Sequence, residues 1–71
     1  MADRIQGGFD VLLRELKAAT GKRPSRLSYR EKDALYHEFL SRGDEHVAAC
    51  GARVVEYHDR WARQITEVLG I

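Results

Sequence analysis

Between Asp44 and Leu69 no proline interrupts the chain, and apolar residues recur there at helical spacing. At 100° per residue Val47, Val54, Val55, Trp61, Ala62, Ile65, Val68 and Leu69 fall on one broad arc, opposite Arg53, Glu56, Arg60, Arg63 and Glu67. The pattern predicts a helix over about 44–69, roughly 39 Å long at 1.5 Å per residue. Glu56 with Arg60 and Asp59 with Arg63 are acid-before-base pairs four apart on its polar face, each worth a few tenths of a kcal/mol. An arc this wide exceeds a two-helix seam and needs more than one neighbour.

Two shorter helices precede it. Ile5, Phe9, Leu12, Leu13 and Leu16 form an apolar stripe that Ala19 extends. Gly7 and Gly8 weaken its first turn by roughly 1 kcal/mol each, so the firm helix is expected over about 8–20. Gly21 as a left-handed cap and Pro24 beyond it supply the stop. The next start is Ser28, with Glu31 three residues on completing a capping box. Leu35, Tyr36, Phe39 and Leu40 make the apolar side of a helix over about 28–42. Gly43 is expected to close that helix and Asp44 to cap the third, so "SRGD" reads as a tight corner. The expectation is an all-α domain over 1–71: three helices, a hairpin of the second and third, and a helical homodimer.

The homodimer follows from size. A 71-residue chain buries only ~60% of its unfolded surface and usually needs a staple. Cys50 is the only cysteine, which rules out an intrachain disulfide and a Cys-rich metal framework. Association through the third or first helix remains, aided by the small-residue run "AACGA" at 48–52. The opening "MADRIQGGFD" lacks a signal-peptide pattern and no window reaches the ~20 apolar residues of a membrane span. A cytoplasmic protein without membrane contact is expected.

Charge is uneven. Apolar residues make up 44% and charged residues 32% of the chain, which supports a packed domain rather than disorder. Within residues 22–32, Lys22, Arg23, Arg26, Arg30 and Lys32 face one acid, Glu31, a local excess of four positive charges; the rest of the chain then carries three negative under a net charge of +1. The structural tasks in this joint belong to Gly21, Pro24, Ser28 and Glu31, none of them basic. The cations are free to serve a partner.

No arrangement points to catalysis, a cofactor or a metal. His46 and Cys50 are helical neighbours four apart, but no second Cys/His pair completes a tetrahedral set, and Cys50 reads as a small buried hydrophobe. "QGG" lacks the lysine and spacing of a phosphate-binding loop. A helix-turn-helix has the right order in the second and third helices. Its recognition helix would begin "DEHVAACGA", however, and set Asp44 and Glu45 against a polyanion.

The reading that remains is a small non-enzymatic regulator or inhibitor that occludes or assembles a partner protein, one with an acidic surface where it meets the joint. Lys22, Arg23, Arg26, Tyr29, Arg30, Tyr36, Tyr57 and Trp61 are the candidate partner-binding residues, since aromatic and arginine side chains anchor protein interfaces. His58 falls within the apolar arc; burial there favours the neutral ring and makes it a candidate pH switch. The second reading is a nucleic-acid-associated protein using the joint from both copies of a dimer.

Overall fold

A computed structural model describes residues 3–71; the first two residues of the expected 1–71 domain lie outside the described residues. The described chain is all-helical, with α1 at Arg4–Thr20, a 3₁₀ turn at Pro24–Arg26, α2 at Tyr29–Ala49 and α3 at Val54–Leu69. Three helices are present, as the periodicity required, but three of their boundaries are not where local signals placed them.

Helix α1 begins at Arg4 rather than near Gly8. Asp3 caps it, its carboxylate accepting from the Ile5 amide at 3.0 Å, and Ile5 is buried. A cap worth about 1 kcal/mol and a buried side chain offset the cost of the glycine pair. Gly8 also has a packing role, because a side chain there would collide with the His46 imidazole. At the other end the helix stops at Gly21 as expected, its amide donating to Lys17 O, but at φ 74° and ψ −165° rather than in the left-handed helical conformation. Ala19 does not extend the stripe; it is exposed, and Thr20 is buried instead.

Helix α2 starts as its sequence dictates. Ser28 Oγ accepts from the Glu31 amide at 3.1 Å and Glu31 Oε1 accepts from the Ser28 amide at 3.3 Å, the reciprocal capping box. The expected corner at Gly43 and Asp44 is absent. The helix continues through "SRGD" to Ala49 and breaks at Cys50–Arg53, where Gly51 takes φ +76° and Ala52 N reaches back to Val47 O at 3.2 Å. Gly43 is a buried interior residue, and a methyl group on it would overlap the Trp61 indole. Glycine here allows a close approach between helices rather than ending one. The 44–69 helix is therefore two helices, and "AACGA" is the end of α2 and the turn after it.

The wide apolar arc is divided accordingly. Val47 packs from α2, while Trp61, Ile65 and Leu69 pack from α3; all four are fully or almost fully buried with Phe9, Leu12, Leu16 and Phe39. Val55, expected on the arc, is 70% exposed. Phe9 and Trp61 stack with centroids 4.5 Å apart and planes 13° from parallel, and Trp61 Nε1 donates to Phe39 O at 2.8 Å. The expected pairs Glu56–Arg60 and Asp59–Arg63 do not form among the described residues. Arg53 pairs with Glu56 at 3.6 Å, and the Arg60 guanidinium lies 5.0 Å from the Tyr57 ring centroid. An Arg42–Glu15 pair links α2 to α1. Among the described residues no helix is long and apolar enough to cross a membrane.

Candidate partner-binding surface

The C-terminus of α1, the 3₁₀ turn and the start of α2 gather at one end of the molecule, and with them the basic joint. Pro24 fixes φ at the first position of the turn. The Arg26 amide then donates to Arg23 O at 3.0 Å and the Leu27 amide to Pro24 O at 3.1 Å. Leu27 packs against the core and anchors the turn. Lys22, Arg23, Arg26 and Arg30 are all exposed, and among the described residues none forms an ion pair.

The reason lies in the neighbouring acids. Glu31 is held in the capping box, and Asp33 pairs with His37 at 3.4 Å. Lys22 and Arg23 follow the C-terminus of α1, where positive charge meets the negative end of the helix dipole. Arg30 and Lys32 occupy the first turn of α2, where the same effect mildly disfavours them. Local structure thus favours two of the five cations, works against two, and leaves Arg26, in the 3₁₀ turn, to neither effect.

Two concavities flank the joint. Thr20, Gly21, Lys22, Arg23, Arg26 and Leu27 line one of about 370 Å³. Tyr29, Lys32, Asp33, Tyr36, His37, Thr66 and Ile71 line a second of about 310 Å³. Tyr29 is 83% exposed, unusual for a large aromatic residue at the start of a well-capped helix. Tyr36 is half-buried and meets the His37 ring edge-on, centroids 5.4 Å apart. Six of the eight candidate residues, Lys22, Arg23, Arg26, Tyr29, Arg30 and Tyr36, thus share one end of the fold. Lys32, Thr66 and Ile71 join them without having been singled out as binding residues: Lys32 was legible as part of the basic run, whereas Thr66 and Ile71 arrive only because α3 ends beside the start of α2.

Tyr57 and Trp61 do not belong to that end. Trp61 is wholly buried and is a core residue, not the surface anchor expected of it. Tyr57 is half-buried on the first half of α3, beneath Arg60. His58 does not sit alone in an apolar seam: its Nδ1 lies 3.0 Å from an Asp44 carboxylate oxygen, with side chains 41% and 30% exposed. Asp44, expected as a helix cap, is held mid-helix by this partner. The ring stands partly exposed against a carboxylate rather than enclosed in the core, which removes the burial premise for a switch. As a partly exposed pair it contributes little. Asp44→Ala is expected to lower stability by under about 1 kcal/mol in urea denaturation; a loss several times larger would mean the pair organises the contact between α2 and α3.

His46 and Cys50 are neighbours, Sγ to Nε2 being 3.9 Å, but the imidazole is committed elsewhere. Its Nε2 lies 3.1 Å from Ile5 O, and its ring meets Phe9 edge-on. The imidazole docks the start of α1 on the last turns of α2. Among the described residues no three His, Cys, Asp or Glu side chains converge as metal ligands. The corner that a helix-turn-helix would use at "SRGD" is helix interior. No protein-family model matches the chain, and neither a curated protein nor a solved structure matches it.

Proposed function

We propose that the chain is a non-enzymatic protein-binding regulator or inhibitor that uses its basic end to occlude or assemble a partner protein with an acidic surface, in a cytoplasmic setting. One observation carries this reading: four exposed cations lack a carboxylate partner among the described residues because the two adjacent acids are already engaged, and they stand beside a groove bearing an exposed tyrosine. Arginine supplies directional contacts to carboxylates, and tyrosine supplies anchoring area at low entropic cost.

The test is to change Arg23, Arg26 and Arg30 together to Ser. Helicity and thermal stability are expected to stay nearly constant, since exposed substitutions usually shift stability by under ~0.5 kcal/mol. Capture from native host cells is expected to lose one specific protein relative to wild type. Unchanged capture of that protein at low and high salt would overturn the reading.

The second reading, a nucleic-acid-associated protein, draws on the same cations but needs the joint from two copies of the chain. The long helix that argued for a homodimer is broken, and the neighbours its arc demanded come from α1 and α2 of one chain. A dimer now rests on Val11, Val55 and Ile71, the exposed aliphatic side chains. Light scattering near twice 8.1 kDa together with steeply salt-dependent binding to arbitrary duplex would favour this second reading.

A further inference from the structure

We propose that the concavity lined by Lys22, Arg23 and Arg26 is a subsite for a phosphoryl dianion carried on a serine or threonine side chain of the partner protein. The inference rests on the protein-binding reading above and names the chemistry that its basic end selects.

Three cations line this single hollow of about 370 Å³, floored by Thr20, Gly21 and Leu27. Their sum is opposed by the C-terminus of α1, whose dipole is equivalent to roughly half a negative charge. An excess of about two and a half positive charges remains. A carboxylate, with one negative charge, leaves most of it unmatched. A phosphomonoester carries about −1.5 to −2 at pH 7 and offers three acceptor oxygens, which two guanidinium forks and an ammonium can share. The turn is built before any ligand arrives: Pro24 and the two backbone hydrogen bonds of the 3₁₀ turn set its path, and Leu27 ties it to the core. Less ordering is therefore required on binding.

Two features point to a phosphorylated protein rather than to other sources of the same group. Lys22, Arg23 and Arg26 are all exposed, so the hollow holds its ligand at the surface, as a group borne on a large partner requires, rather than enclosing a free ion. Outside residues 22–32 the chain carries three net negative charges, which opposes a continuous phosphodiester backbone and tolerates one isolated dianion.

The experiment is an amide NMR titration of the full chain at pH 7.5 and constant ionic strength. The probes are inorganic phosphate, sodium chloride, a phosphoserine peptide with its unphosphorylated form, and a short single-stranded oligonucleotide. Phosphate is expected to give saturable shifts confined to about Thr20–Leu27, with none from chloride. The phosphopeptide is expected to bind at least tenfold more tightly than its unphosphorylated form, and Arg23→Ser with Arg26→Ser to reduce that ratio to within twofold. Phosphate shifts no larger than those of chloride, or an unchanged ratio in the variant, would overturn the subsite. An oligonucleotide binding as tightly as the phosphopeptide would overturn the protein source. If the subsite fails while the triple arginine variant still loses its captured protein, the protein-binding function stands and only its phosphoryl chemistry falls.

Discussion

Gly43→Ala is expected to destabilise the fold by about 2–4 kcal/mol, although a glycine-to-alanine change inside a helix ordinarily stabilises by ~0.5–1 kcal/mol. The sign reverses because of what faces the position. Trp61 Nε1 donates to Phe39 O at 2.8 Å, and residue 43 lies one turn further along α2, over that carbonyl. A methyl group at 43 would occupy the indole's space. Overpacking costs ~1–3 kcal/mol and loss of the indole hydrogen bond about 1 more. For a chain of this size the melting temperature should fall by roughly 8–32 °C, at ~4–8 °C per kcal/mol, as followed by far-UV circular dichroism. Gly7 is the control: it is helical with open space around its α-carbon, so Gly7→Ala should raise stability by about 0.5–1 kcal/mol. Asparagine separates close approach from helix termination, since a left-handed cap tolerates it. Gly51→Asn, at φ +76° in open space, should be mild and Gly43→Asn severe. Equal, mild effects at both positions would return the corner to "SRGD".

Removal of the indole is expected to have the largest effect of any single change. Trp61 is fully buried, stacks on Phe9 and hydrogen-bonds to α2, so it joins all three helices. Truncation of a buried aromatic to alanine costs about 3–5 kcal/mol, and one small core rarely supplies a margin above ~3–5 kcal/mol. Trp61→Ala should therefore be largely unfolded at 25 °C by far-UV circular dichroism, a readout independent of the chain's only tryptophan. Trp61→Phe keeps most of the stacking area and loses the N–H donor. It should stay folded, about 1–2 kcal/mol less stable. A well-folded Trp61→Ala would mean that the Phe9–Trp61 stack does not hold the helices together.

The basic end was legible from the sequence because charge belongs to residues. A count over 22–32 finds the excess, and the residues that do structural work there are recognisable by type. What it lacked was knowledge of which acids were already engaged, and that Ile71 and Thr66 would complete a groove with Tyr29. The first is local to α2, through the Ser28–Glu31 box and the Asp33–His37 pair; the second depends on α3 ending beside the start of α2. The candidate set also mixed Trp61 with the tyrosines, since amphipathic aromatics look alike until burial assigns one to the core and another to the surface.

The same division runs through the fold. The sequence by itself determined the helical class, the capping box of Ser28 and Glu31 and the stop at Gly21, because these interactions close within four residues and no distant group can change them much. Tertiary structure decided that α2 runs past Gly43. Gly43 suits a helix stop or a close approach, Asp44 a cap or a pair, and the run at 48–52 a seam or a turn. The first two choices were made by groups far along the chain: the Trp61 indole took the space over Gly43, and His58 took the carboxylate of Asp44; the third closes locally, with Gly51 at φ +76° and Ala52 N on Val47 O. Burying an indole in a three-helix core is worth several kcal/mol, whereas a glycine's local preference is worth about one, so packing overrode the local signal and carried the helix past Gly43.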